Sequence, residues 1–235
     1  MSQTAPTYKN HRFPIEIVAS AIWRYFRFNV SLREVEEMIL ERGVVVSYET
    51  IRRWCRQHGA DYTRRFQRKP PSHEDVWHLD ELVVRVNGRK CWLWRAVVDH
   101  DGYVLDEIVQ TRRNTKAARR FLIRLLKKQG MAPKRMITDK LRSYGAAKRQ
   151  VMPHAKHLSH KGLNNRAENS HLPFRKRERT RQGFRSIGSL QQFLSIFSSV
   201  RNLFVPSRVN RSASQILIHR RKAMAEWNAV AHQLA

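Results

Sequence analysis

Asp80, Asp139 and Glu168 are the side chains around which chemistry could be organised. Asp80 lies inside VWHLDELVVRV (76–86), a run in which a carboxylate is costly to bury without something to pair with it. Asp139 closes the short apolar run RMITD (135–139), and Glu168 sits in NNRAENSH (164–171). Three acids converging on one point repel one another, which raises their pKa values unless divalent cations neutralise them. Mg²⁺ takes few protein carboxylates and keeps waters or phosphate oxygens as its other ligands. Two such ions about 3.5–4 Å apart activate an attacking oxygen and stabilise a leaving one in phosphodiester chemistry. Each acid also has an ordinary reading. Asp80 could be a strand acid at a hydrated edge, Asp139 a helix cap and Glu168 a solvated helix residue. Glu81, next to Asp80, alternates to the opposite sheet face and is left out of the set. Glu178, within RKRERTR (175–181), is the nearby competitor for the third place and reads as a salt-bridged surface residue.

The elements that must position these acids are legible from periodicity. Three runs rich in Val, Leu and Trp are separated by Asn87-Gly88 and by Asp99–Gly102, which predicts a three-stranded antiparallel meander. Cys91–Val98 is almost continuously apolar, as a strand covered on both faces would be. Lys116–Gln129 carries one apolar face and ends at Gly130, an amphipathic helix. The strand after it should return parallel to the first, bringing Asp139 within reach of Asp80. A short helix over Leu141–Val151, a fifth strand over Ala155–His160, a helix from Asn164 and a long helix over Ser189–Phe204 complete the pattern. Pro173 has to sit near the start of its helix or kink it. This order is that of an RNase H-like α/β core, a mixed five-stranded sheet with flanking helices.

Ahead of it, residues 13–65 predict three helices. Ser31-Leu-Arg-Glu34 is a capping-box pattern, Gly43 suits a left-handed helix end and Ser47 caps a basic third helix. The last two resemble a helix-turn-helix DNA-binding unit with Tyr48, Glu49, Arg52, Arg53 and Arg56 outward; an ordinary three-helix packing unit is the alternative. The division is therefore a loose N-terminus (1–12), a helix-turn-helix domain (13–65), a Pro70-Pro71 linker (66–75), the catalytic domain (76–205) and a basic tail (206–235) with a helix around Ile216–Trp227.

Lys and Arg number 46 against 19 Asp and Glu, a formal net charge of +27 spread along all 235 residues. A polyanionic partner follows, nucleic acid rather than membrane, because no long apolar segment is present. Cys55 and Cys91 lack metal-ligand spacing and read as core thiols of a cytoplasmic protein. His154, His157 and His160 have three-residue spacing, but no Cys accompanies them to make a zinc set.

WHLDE (77–81), VNGR (86–89), RRNTKA (112–117), TDK (138–140) and NNRAENSH (164–171) resemble, in this order, the bacterial DDE transposases of the insertion-sequence-six group. The similarity runs from about residue 10 to 205. It implies catalytic and metal-binding roles for Asp80, Asp139 and Glu168 with two Mg²⁺ ions, Mn²⁺ being a substitute. It also implies double-stranded element ends and target DNA as partners, a homodimer or larger assembly, and cointegrate-forming strand transfer in the bacterial cytoplasm, nucleoid-associated when bound. Lys140 and Arg175, the latter seven residues after Glu168, are expected to contact DNA near the metals. The 28 residues between Asp139 and Glu168 are fewer than in many members of the group. A DNA-binding protein with an inactive core, and a nuclease that cuts without joining, are the alternatives.

Overall fold

The computed structural model describes residues 12–66, 68–98, 102–139, 141–159, 164–206 and 211–233. In chain order the elements are α1 (Ile15–Arg27), α2 (Leu32–Leu40), α3 (Tyr48–Arg65), β1 (Val76–Val86), β2 (Arg89–Val98) and β3 (Val104–Gln110). There follow α4 (Thr115–Gln129), β4 (Arg135–Thr138), α5 (Arg142–Val151), β5 (Lys156–Ser159), α6 (Asn165–Thr180), α7 (Ile187–Phe204) and α8 (Ala213–His232). They form two compact units. One is built from Arg68–Leu194, the other from the chain through residue 67 with Ser195–Pro206 and the residues from Asn210 onward.

The first unit is a five-stranded sheet of order β3-β2-β1-β4-β5, with β1, β2 and β3 antiparallel and β4 and β5 parallel to β1. This is the RNase H-like arrangement. Asn87 and Gly88 both adopt positive φ (48° and 74°), the two-residue hairpin geometry their types favour. The second turn signal falls on Asp99–Gly102, of which 99–101 lie outside the described residues. One sheet face packs Trp77, Leu79, Trp94 and Ala96 against Phe121, Leu122 and Leu125 of α4 and Tyr144 and Ala147 of α5. Asn114 caps α4 at its Ala117 N–H, and Gly130 ends it at φ 76°. β2 is buried on both faces from Leu93 to Val98, as its continuous apolar run requires.

Side chains cover the β3 edge and the part of β1 that β4 leaves unpaired. On β3, the Gln191 amide accepts from Val109 N–H (2.9 Å) and donates to the Glu107 carbonyl (3.0 Å). On β1, β4 reaches only Val76–Leu79, and at the far end an isolated bridge joins Val86 to Phe184, which leaves a gap between them. Asn164 Nδ2 donates to the Leu79 carbonyl (2.9 Å) and Arg175 Nη2 to the Val83 carbonyl (2.8 Å), laying α6 along the gap. Pro173 lies inside α6 rather than at its start. Having no N–H, it cannot donate to the Asn169 carbonyl one turn back; the next carbonyl, that of Ser170, accepts from Arg95 Nη1 at 2.5 Å.

In the second unit the Ser31–Glu34 capping box is formed, Gly43 takes φ 74° after α2, and Ser47 accepts from Thr50 N–H at the start of α3. The charge of the last thirty residues hides an apolar stripe. Ala223, Trp227, Val230 and Ala231 of α8 are buried, with the Trp227 ring 5.1 Å from Tyr62 and 5.5 Å from Phe66. Among the described residues no helix is long and apolar enough to cross a membrane.

Candidate active site

β1 and β4 run parallel with Leu79 opposite Thr138, so Asp80 and Asp139 leave the sheet side by side. Asp139 is held at both ends. Its carbonyl accepts from Thr138 Oγ1 and Ser159 Oγ (both 2.8 Å), and its Oδ1 accepts from Leu141 N–H (3.0 Å). The helix-entry role and a ligand role are thus compatible, since Oδ2 remains to face Arg113 Nη2 at 3.2 Å. Asp80 is half-buried on the α6 side, its Oδ2 3.2 Å from Nε2 of the buried His171.

Glu81 stands closer to the other acids than strand alternation alone suggests. Its side chain does point to the face opposite Asp80, and it is wholly buried there, 3.3 Å from Arg113 Nη2. Yet Asp139 lies one residue past the end of β4, where the sheet no longer separates the two faces. One carboxylate oxygen from each of Asp80, Glu81 and Asp139 lies within 4.8 Å of the others, a group able to hold a metal ion. Glu168 is not in that group. It is exposed on α6, four residues after Asn164 and three before His171, hence on the helix side that meets β1.

The remaining site residues fall as follows. Arg175 spans the β1 edge and pairs with Glu178 (2.7 Å), so Glu178 is an ion-paired residue. Lys140 and His160 lie outside the described residues. His157 Nε2 is engaged with Thr138 Oγ1 (2.9 Å) behind the strand end. In the helical unit Arg53 and Arg56 are exposed on α3, while the Tyr48 ring lies under the guanidinium groups of Arg33 (5.3 Å) and Arg52 (5.5 Å). Arg52 also pairs with Glu49 at 2.8 Å.

Burial and the charge of Asp139 raise the Glu81 carboxyl to about 7, with Arg113 opposing and Asp80 adding to the rise. Complete burial, and then the same negative charges, hold the Tyr144 hydroxyl well above its ordinary value. Burial lowers the His171 imidazole, with Asp80 partly offsetting it, so a neutral ring meets Asp80. Because Glu81 binds its proton more tightly folded than unfolded, its contribution to stability is full below pH 4.5 and lost as pH rises to about 7. A shift of this size is worth about 3 kcal/mol. In EDTA, wild-type Tm should therefore fall between about pH 5 and pH 8 relative to Glu81→Gln. Parallel pH profiles of the two proteins would refute it.

Sequence reasoning missed Glu81, Arg113, His171 and Tyr144 as site residues. Arg113 was visible only as a letter in RRNTKA. Its bridging position depends on where the β3–α4 connection meets the end of β4.

An RNase H-like sheet with acids clustered midway along β1 and just past the end of β4 is the architecture of a polynucleotidyl-transferase core. The family model DDE_Tnp_IS240, a DDE domain, matches residues 74–206, more than half of the chain. The chain belongs to this family of DDE transposases. It is 28% identical over 214 residues to the transposase of the insertion sequence-like element IS431mec of Staphylococcus aureus, spanning 89% of this chain and 92% of that one. The same figures hold for the transposase of insertion sequence element IS257 in transposon Tn4003 from Staphylococcus aureus. Among solved structures, the HTLV-2 integrase catalytic core domain in complex with magnesium (trimeric form) is similar at a TM-score of 0.39 and 16% identity, covering 63% of this chain and 95% of that one. The catalytic core domain of BIV integrase is similar at a TM-score of 0.41 and 11% identity, covering 66% and 99%.

Proposed function

We propose that this chain binds the terminal inverted repeats of a mobile element and catalyses Mg²⁺-dependent DNA cleavage and strand transfer by the replicative, cointegrate-forming route. The observation that carries the reading is the convergence of Asp80, Glu81 and Asp139 within 4.8 Å where β4 ends beside the middle of β1. Oxygen-only donors suit a hard cation, and among the described residues Arg113 is the one cation bonded to these carboxylates, at Glu81 and Asp139. That excess of negative charge fits divalent ions.

Asp80, Asp139 and Glu168 are the proposed ligands, two ions being the proposed number. When bound, such ions activate the attacking hydroxyl or water and stabilise the leaving oxygen. The protein's own part is positional. His171 orients Asp80, the Leu141 N–H orients Asp139, and α6 is tied to the β1 edge on either side of Glu168. Arg175 and Lys140 are proposed to hold the phosphate backbone near the acids. Tyr48, Arg52, Arg53 and Arg56 are proposed to read element ends as the second helix of a helix-turn-helix (13–65), followed by a linker (66–75) and the catalytic domain (76–205). Two DNA ends must be held together, so a dimer or larger assembly in the bacterial cytoplasm is part of the proposal.

The test is incubation of purified protein with DNA carrying the inverted repeats that flank its gene, a target plasmid and Mg²⁺. Joined products are expected. Cuts without joining would make it a nuclease, and binding alone would make the core inactive. Arg53→Ala/Arg56→Ala should weaken end binding about tenfold and flatten its salt dependence, read by titration at several salt concentrations.

A further inference from the structure

Arg113 occupies an unusual place for a surface-derived arginine. The same Nη2 reaches Glu81 Oε2 at 3.3 Å and Asp139 Oδ2 at 3.2 Å, so one guanidinium group straddles two of the three converging acids. The group is not held by those acids alone. Its Cζ lies 5.0 Å from the centroid of the half-buried Trp92 ring on β2, a cation–π distance. It is one-third exposed, so it has room to leave. Asn114, the next residue, is fixed as the cap of α4 by its bond to Ala117 N–H (3.0 Å), which leaves the side chain of Arg113 rather than its backbone as the part that can move.

A guanidinium and a divalent ion seek the same carboxylate oxygens. Both cannot hold Asp139 Oδ2 at once, because two cations within a few ångströms repel strongly in a half-buried site. We infer that Arg113 is a built-in counter-cation that occupies the Glu81–Asp139 side of the cluster and is displaced when a divalent ion binds. The inference rests on the reading of the cluster as a divalent-cation site. Displacement has two consequences. The acids stay neutralised and ordered without metal, and the released guanidinium stays tethered beside Trp92, near where a phosphate would approach. Arg113 is thus a positioning residue that sets the cation affinity of the site.

The test is Mn²⁺ titration of the full chain by calorimetry, with Asp80→Asn as the control for the site itself. Removing the competing charge in Arg113→Gln should tighten Mn²⁺ binding by about tenfold, while Arg113→Lys, which keeps a charge, should stay near wild type. Tryptophan fluorescence gives a second readout. Mn²⁺ quenches by itself, so Mg²⁺ is used for this measurement. Wild type should show a Mg²⁺-dependent change that is absent in Trp92→Phe and much reduced in Arg113→Gln. Equal or weaker Mn²⁺ binding by Arg113→Gln than by wild type overturns the inference. So does a Mg²⁺ fluorescence change that persists in Trp92→Phe and Arg113→Gln alike. If wild type and Asp80→Asn bind Mn²⁺ equally, the cation-site reading itself fails, and the inference with it.

Discussion

Asp80→Asn is expected to lower DNA cleavage and joining by at least about a thousandfold, on the order of 4 kcal/mol of transition-state stabilisation, while end binding is retained. The substitution keeps the size of the side chain and an oxygen facing His171 Nε2, now at 3.2 Å from Asp80 Oδ2. What it removes is a negative charge beside Asp139 and Glu81, and with it the charge-matched place for a hard cation. Asp139→Asn should behave alike, although its bond to Leu141 N–H can survive. The third place is decided by comparing Glu168→Gln with Glu81→Gln in the same gel assay of joined products. On the proposed assignment Glu168→Gln is as inactive as Asp80→Asn and Glu81→Gln is weakened less. The reverse order would move the ligand role to Glu81. Wild-type joining by Asp80→Asn would overturn the site altogether.

The largest effect on folding should come from Arg95. It is 2% exposed and directly opposite Asp80 on β2. Its Nε and Nη2 donate to Glu107 Oε2 (3.0 and 2.7 Å) on β3, and its Nη1 donates to the Ser170 carbonyl of α6 (2.5 Å). Glu107 is 4% exposed, so Arg95→Met leaves a buried carboxylate without its counter-charge, a loss of about 3–5 kcal/mol. Arg95→Met/Glu107→Leu should recover most of that stability, because both desolvated charges are gone. It should not recover joining activity, since the Ser170 carbonyl still lacks the donor that docks α6, the helix carrying Glu168 and His171. Urea unfolding of the three proteins measures the first expectation and the joining assay the second. A loss below about 1 kcal/mol in Arg95→Met would mean that this pair does not hold the sheet together.

Local chemistry made much of the molecule legible. Asn87-Gly88 specified a hairpin because both residues accept positive φ, and they adopt it. The apolar run of β2 and the single apolar face of α4 report which surfaces are buried, and the strand order follows from a parallel return after a crossover helix. The pairing of Asp80 with Asp139 is legible for the same reason: a strand returning parallel beside β1 carries Asp139, at its end, to the level of Asp80 within β1. The C-terminal segment was harder. In α8 the buried set Ala223, Trp227, Val230 and Ala231 is sparse and surrounded by charge, so periodicity gave little warning that it packs on Tyr62 and Phe66.

By itself, then, the sequence determined the elements, their order, and the two aspartates on neighbouring strands. These depend on interactions within a few residues or on a two-residue period that repeats along a strand. Only the tertiary structure decided what surrounds those acids. Whether Glu81 joins Asp80 depends on the length of β4, which ends one residue before Asp139 and so opens the sheet between its two faces. Whether Arg113 bridges Glu81 and Asp139, and His171 meets Asp80, depends on contacts between residues 26 to 91 positions apart. Those contacts are set by side-chain packing across strands and helices, which no local pattern encodes.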